Sequence, residues 1–537
     1  MATPSYRIKN LDHLGLVAGM CRELGLAQMV DVIVPKQGDY QVSHGEALVA
    51  MIINGLGFHS RTLHMFPQFF ADKPTERLLR PGILPEHLND DALGRCLDAL
   101  FEADVSALYQ VMAEHVVARL GLNSTAVHLD ITSFHVDGAY ERDEDNPACI
   151  KLVKGYSRDH RPELNQVILE LICENQAGLP VYMQALSGNT NDQKAFAEVT
   201  RQHVKSLKAA QQSRYFVGDA ALYTADSLSA LHQQEQLFVT RVPMTLKDAK
   251  HAVSNLQTER LEALGDGYHG YWIEADYAGV PQRWLLVRSE QATKREQQTV
   301  TRNLLKTGTR ELKQFQQLCK KRFACQQDAE QALAEFSRGL GVLRIEQGAT
   351  LAQPIYSGKG RPKKGQTPER IDYLLTGQAV TCLDKVATAK EQAGIFILAT
   401  NDLSDHLDMA GLLATYKSQQ AVERGFRFLK SPEFLTSSLF LKKPERIEAL
   451  LMVMTCSLMI YAALEHRIRQ SLRQKDLSFP DMKKKSSQNP TARWVFLCFS
   501  GIHELSVGEE TPLIVNLQPP QQTILEALGK RYLAIYS

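Results

Sequence analysis

The stretch Thr125-Ala-Val-His-Leu-Asp130-Ile-Thr132 decides the fold. Upstream of it, Leu14, Leu16, Val17 and Met20, then Ala47, Leu48, Met51 and Ile52, recur at helical spacing, and at Thr125 the period shortens to that of a strand ending near Asp130. Residues 166–173 and 180–186 read as two further strands around a turn at 175–178. A helix is predicted over about 192–207, a strand over 215–219, a helix near 225–234 and a strand over 237–241. Three strands followed by alternating helix and strand predict an α/β fold with a mixed sheet.

Outward from this core, residues 11–120 read as helices. Ser43 with Glu46 three positions on matches a capping box, and Asn89 or Asp90 is placed to cap the helix carrying Leu93, Cys96, Leu97 and Leu100. From 243 to 394 the pattern breaks into short strands, such as 271–275 and 283–288, around a long polar helical stretch, which predicts an insertion. A strand at 395–400 resumes the core, and Asp405 or Asp408 can cap a helix running through Tyr416 and Glu423 towards Lys430. The remainder reads as mostly helical. The resulting organisation is an N-terminal helical accessory or DNA-binding domain (1–122), a core in two parts (123–242 and 395–470) split by the insertion (243–394), and a C-terminal region (471–537).

The 537 residues carry 61 Lys+Arg against 60 Asp+Glu, so any polyanion contact must arise from local segregation of charge. Such segregation is present. Residues 291–325 hold nine basic side chains against Glu296 and Glu311, and 411–490 hold fourteen basic against seven acidic, whereas 1–120 hold ten basic against fourteen acidic. The run Lys359-Gly-Arg-Pro-Lys-Lys364 adds a basic loop. Phosphate contact and a merely solvated face are both open readings of these stretches. Nine cysteines without any C-x-x-C pair argue against zinc modules and disulfide frameworks, and fit a reducing cytoplasm. The N-terminus lacks the apolar run of a signal peptide. The apolar run 449–464 falls short of the roughly 20 residues needed to span a bilayer, so a buried core helix is expected, with no membrane.

Three acids stand out by setting: Asp130 and Asp219 at expected strand ends, and Glu423 on a helix among aromatic and basic residues. Carboxylates at the open ends of strands can converge on hard cations that take oxygen ligands, and two such cations about 4 Å apart stabilise an in-line phosphoryl displacement. A helix cap or turn is the alternative for either Asp taken alone. In Tyr416-Lys-Ser-Gln419-Gln-Ala-Val-Glu423-Arg-Gly-Phe-Arg427-Phe-Leu-Lys430, helical spacing puts Tyr416, Gln419, Glu423 and Lys430 on one face with Arg427 nearby. Phe426, Phe428 and Leu429 read as packing residues, and Glu423 with Arg427 also matches a surface ion pair.

These motifs resemble those of the DDE-class bacterial insertion-sequence transposases with an RNase H-like core, in the superfamily marked by Y-x2-R-x3-E-x6-K. Tyr416, Glu423 and Lys430 match that spacing, with Gln419 at the usual Arg position. Leu129-Asp130-Ile-Thr-Ser-Phe-His-Val-Asp137-Gly resembles the first Asp motif and Val217-Gly-Asp219-Ala-Ala-Leu-Tyr223 the second. Gly155-Tyr-Ser-Arg-Asp159-His-Arg-Pro162, Gly178-Leu-Pro and Ser187-Gly-Asn-Thr-Asn-Asp192 are similar to the segment between them in this branch. The resemblance spans about 120–470 and implies an RNase H-like mixed-sheet core interrupted before its third carboxylate. It implies that Asp130, Asp219 and Glu423 are catalytic ligands of two Mg2+ or Mn2+ ions, and that Tyr416, Gln419, Arg427 and Lys430 contact DNA. His128, His135 and Asp137 are expected to support or pack rather than react.

The function so implied is cleavage at the terminal inverted repeats of a mobile element and strand transfer into target DNA, by a dimer on double-stranded DNA in the bacterial cytoplasm at the nucleoid. Two alternatives are an RNase H-like nuclease without strand transfer and a non-catalytic DNA-binding regulator derived from a transposase.

Overall fold

The computed structural model describes residues 6–58, 60–136, 149–156, 161–191, 194–198, 214–357, 364–419, 425, 429, 430, 441–508 and 510–537. Of the expected 192–207 helix, only 194–198 fall among them, and these are helical.

The central feature is a nine-stranded mixed sheet. Its strands are β2 (Ala126–Val136), β3 (Asn165–Glu174), β4 (Pro180–Ser187), β5 (Tyr215–Gly218), β6 (Leu237–Arg241), β7 (Glu262–Gly265), β8 (Tyr268–Tyr277), β9 (Val280–Ser289) and β12 (Ile395–Thr400). In space they run β4-β3-β2-β5-β6-β12-β9-β8-β7. β2, β3 and β4 form an antiparallel meander, β5 and β6 lie parallel to β2, and β12 returns antiparallel between β6 and β9. A meander followed by two parallel strands is the order expected of an RNase H-like core.

β2 is longer than its sequence suggests. It continues six residues past Asp130, paired to β3 from Val127↔Glu174 to Val136↔Asn165, so Asp130 sits within the strand rather than at its end. Thr132, Ser133 and His135 look like the start of a loop, yet Thr132 and Ser133 are buried because both faces of the strand are covered. A strand covered on both sides has no polar and apolar alternation by which to recognise it. The stretch after 243 is also not wholly peripheral: β7, β8 and β9 extend the sheet beyond β12. Only from the Glu290–Lys320 helix does the chain leave the sheet, forming a second helix (Gln326–Arg338) and a two-stranded ribbon, β10 (Leu343–Ile355) with β11 (Arg370–Thr381). Glu311 fastens the base of this ribbon by accepting from the backbone amides of Gly341, Val342 and Leu343. The basic run 359–364 lies outside the described residues apart from Lys364.

The other face of the meander is covered by helices. Leu14–Leu24, His44–Gly55, Asp90–Glu102 and Val105–Leu120 pack around the 31-residue helix Pro444–Gln474. That helix is long and apolar enough to cross a membrane, but 89% of its most apolar window is buried inside the fold, and Asp98 clamps its first turn through two bonds from Arg446 of 2.6 and 2.7 Å. The Ser43–Glu46 capping box and the Asn89 cap both form. A strand at each end of the chain was not foreseen: β1 (Tyr6–Asn10) pairs antiparallel with β15 (His503–Val507). Beside it the Leu14–Leu24 helix presents Gly15 and Gly19, where an added Cβ would come within 2.6 Å of the Tyr536 and Tyr532 rings respectively. Residues 6–24 and 503–536 thus form one packed unit.

Candidate active site

Asp130 and Asp219 are brought together by strand register. β2 and β5 run parallel with Ala126 opposite Tyr215, Val127 opposite Phe216 and His128 opposite Val217. Continued past the last pair, this register leads to Asp130, two residues beyond His128 on β2, and to Asp219, one residue past the end of β5. Alternation puts Asp130 on the face where Ala126, Tyr215 and Val217 pack against Leu412 and Leu413 of the Met409–Lys417 helix, and Asp219 begins the turn beside it.

Each carboxylate is oriented by backbone. Asp130 Oδ1 accepts from the Ile131 amide at 2.8 Å. Asp219 follows the last residue of β5, and its Oδ1 accepts from the Ala221 amide at 2.8 Å, which turns the chain sharply after the strand. Thr240, on the neighbouring β6, donates to the Asp219 carbonyl at 2.8 Å. Gly218 permits this turn, since a Cβ there would lie 2.8 Å from Leu222 Cδ2. Sequence reading missed the roles of Gly218 and Thr240. The Val217-Gly-Asp219 run held the signal for the first, and no local pattern signalled the second.

The helix expected to run from Asp405 or Asp408 towards Lys430 is capped by Asp408, which accepts from Gly411 at 2.6 Å. It spans only Met409–Lys417, with Ser418 and Gln419 in a turn, so Tyr416 and Gln419 do not share one helical face. Tyr416, near its end, is half-buried and packs on the apolar cluster beneath the helix. Gln419 is only 8% exposed. Ser418 reaches β2, with its hydroxyl 2.8 Å from His128 Nε2. Further along, the Lys430 ammonium lies 5.9 Å from the centre of the Phe134 ring, also on β2. His128 and Phe134 bracket Asp130 on the same face of the strand, so the described flanks of the Glu423 segment touch β2 on both sides of that carboxylate. Glu423 and Arg427 themselves lie outside the described residues, as does Asp137.

His128 is completely buried, which pushes its imidazole down to about 4. Burial thus favours its neutral form. His135 is half-buried and, by alternation, on the opposite face from Asp130. Among the described residues no three His, Cys, Asp or Glu side chains gather as a metal cluster. The Asp130 and Asp219 pair nonetheless provides the all-oxygen, anionic donor set that hard divalent cations prefer.

Comparison with known proteins gives the family. The transposase DDE domain family matches residues 125–460, well over half of the chain, and a domain of unknown function, DUF4277, matches residues 6–114. No curated protein matches. Two solved structures resemble the chain at 10% identity. One is a piggyBac transposase synaptic complex with hairpin DNA, with TM-score 0.38 over 90% of this chain and 77% of that one. The other is a Mos1 transposase paired-end complex with the left transposon end, with TM-score 0.15 over 37% of this chain and 59% of that one. At those scores the assignment rests on the family match, together with the strand order and the paired aspartates. The chain belongs to the DDE-domain transposases.

Proposed function

We propose that this DNA transposase cuts at the terminal inverted repeats of an insertion sequence and joins the resulting 3'-hydroxyl to target DNA, with Asp130, Asp219 and Glu423 as its catalytic carboxylates. DDE transposases use divalent metal ions, and here the ions are two Mg2+ or Mn2+. They would supply Lewis-acid stabilisation of the attacking and leaving oxygens. The observation that carries the reading is the placement of Asp130 level with Asp219 on parallel neighbours, facing the helix that leads to Glu423. Asp130 and Asp219 hold their oxygens towards one side of the sheet, oriented by the Ile131 and Ala221 amides. His128 keeps the strand against the helix. Lys430, next to Phe134, supplies a positive charge for a phosphate beside the reacting one. Tyr416, Gln419 and Arg427 complete the proposed DNA contacts, with Gln419 reaching DNA only if its buried surroundings open. Two element ends must be held for joining, so the working form is a dimer on double-stranded DNA, in the bacterial cytoplasm at the nucleoid.

The test is single-turnover cleavage of a labelled duplex bearing the inverted repeat that flanks the gene, in Mg2+, with a supercoiled plasmid as target. Cleavage and joining by the wild type, both lost in Asp130→Asn and in Asp219→Asn, are the expected result. Cleavage without joining would leave a nuclease. Undiminished cleavage by either variant would remove the carboxylate assignment.

A further inference from the structure

The molecule has a second cationic feature away from the paired aspartates. A trough runs between the β3–β4 turn and the C-terminal half of the Pro444–Gln474 helix, as two adjoining cavities of ≈ 390 and ≈ 400 Å³ that share Gln176, Ala177, Glu465 and Arg469. Its helical wall carries His466, Arg469, Gln470 and Arg473, positions three, four and seven residues apart that fall on one face. Its near end is closed by Lys417 and Ser418. Among the described residues, four cationic or titratable bases thus line the trough against one acid, Glu465.

The arginines are held in position rather than loose. Arg469 pairs with Glu465 at 2.6 Å and donates to the Pro490 carbonyl at 2.9 Å, and Arg473 donates to the Asn489 side chain. A guanidinium has five N–H donors in a fixed fork, so these bonds orient each head while leaving donor capacity towards the trough. The two arginines are about 6 Å apart along the helix axis, a separation at which each can meet its own phosphate. The local field is strongly positive. Burial first, then the charges of Arg473, Arg467 and Arg469, hold the His466 imidazole below its ordinary value. Arg467 itself turns away to Glu23 at 3.0 Å. The loop that supplies Asn489 and Pro490 follows Lys483, Lys484 and Lys485, all exposed.

We propose that this trough binds the sugar–phosphate backbone of duplex DNA, with Arg469 and Arg473 each neutralising one phosphate. The proposal deepens the transposase reading and rests on it. Ser418 connects the trough to the catalytic face: its hydroxyl bonds His128, which is two residues, about 7 Å along the strand, from Asp130. The occupant is therefore a continuation of the duplex being cut. An acidic protein segment would suit the charge but has no such link to the reacting phosphate.

The experiment measures binding of the full chain to a labelled element-end duplex by anisotropy across a KCl series, with cleavage followed in parallel. Arg469→Gln with Arg473→Gln should weaken binding at least tenfold near 0.1 M salt and reduce the slope of log K against log salt by about two. Arg469→Lys with Arg473→Lys, which keeps the charge, should hold the wild-type slope. Should the glutamine pair melt early, Gln470→Glu places an acid in the same trough without removing either anchor, and should also weaken binding. Unchanged affinity and slope in the glutamine pair, or in Gln470→Glu where that pair fails to fold, overturns the trough. So does equal weakening by the lysine and glutamine pairs, or loss of polyglutamate binding in the glutamine pair with duplex binding intact. The Asp130→Asn protein separates the two proposals. If wild type and Asp130→Asn cleave alike while the glutamine pair binds with a reduced slope, the catalytic assignment fails and the trough stands. If only wild type cleaves and the slope is unchanged, the trough fails and the catalytic assignment stands.

Discussion

The imidazole of His128 and the hydroxyl of Ser418 lie 2.8 Å apart across 290 residues of sequence. Ser418 Oγ donates to the Thr415 carbonyl at 2.6 Å, so it accepts from His128, whose neutral ring carries its proton on Nε2. One hydrogen bond therefore joins the strand of the first aspartate to the segment leading to Glu423. Replacing Ser418 by Ala leaves a buried N–H without an acceptor, at a cost of roughly 1–3 kcal/mol. Cleavage is expected to fall further than DNA affinity, and Ser418→Thr, which restores the hydroxyl, to recover it. Chemical melts with single-turnover cleavage of the three proteins check this; Ser418→Ala with normal stability and normal cleavage contradicts it.

Metal dependence should divide binding from chemistry. Cleavage is expected in Mg2+ and Mn2+ and to stop in EDTA or in Ca2+, whose longer and less regular coordination suits in-line transfer poorly. DNA affinity in Ca2+ should match that in Mg2+. Full cleavage in EDTA would eliminate a role for metal at Asp130 and Asp219.

Gly218 offers a steric test of the second aspartate. Gly218→Ala brings a methyl group within 2.8 Å of Leu222 Cδ2 and 2.9 Å of its Cβ, so the turn after β5 must shift. A loss of about 1–3 kcal/mol is expected, with cleavage reduced because Asp219 moves with the turn. Removing both contacts with Leu222→Gly in the same chain should recover part of the cleavage even though it adds a cavity. Activity that stays lost in the double variant would show that Gly218 acts in some other way.

Lys430 lies over the Phe134 ring and is proposed to meet a phosphate. In Lys430→Ala the ammonium over Phe134 disappears along with one proposed phosphate contact. Stability should drop by only about 0.5–1 kcal/mol, whereas the salt slope of end binding should fall by about one. An unchanged slope would make Lys430 a packing residue alone.

Stability should also depend on pH through Glu448, on the long core helix. Burial first, then Asp104 and Glu445, push its carboxyl up to about 7, against the opposing effect of the Ile150 amide. The folded protein holds this proton more tightly than the unfolded chain. The contribution is thus fully present below about 4.5 and is lost as pH rises through 7. Between pH 5 and 8 the wild type should lose roughly 1–3 kcal/mol from this group. Glu448→Gln should be the more stable protein at pH 8 and little different at pH 5, as urea titrations at the two values would reveal.

Local chemistry explains which parts of this architecture were legible beforehand. β3, β4 and β6 follow from short apolar runs closed by turn residues, and the Asp408 cap from its place before an apolar run. The full length of β2 was not legible, because Thr132 and Ser133 are buried between two layers and imitate a loop. Nor was the pairing of the largely exposed β1 with the part-buried β15, whose partnership depends on tertiary contact rather than local pattern. The two aspartates could be picked out from their motifs, but their alignment is a property of parallel register. The bond from His128 to Ser418, likewise, belongs to tertiary structure alone.

The union of the chain ends has a consequence for synthesis. β1 is made some 490 residues before its partner His503–Val507, about 25–100 s earlier at ~5–20 residues per second. Throughout that interval the notches at Gly15 and Gly19 also await Tyr536 and Tyr532. The layer around Leu14–Leu24 therefore cannot close while the ribosome is still translating the sheet, and a nascent chain released before Tyr532 and Tyr536 leaves a strand edge and an apolar groove open to chaperones, proteases or another unfinished copy.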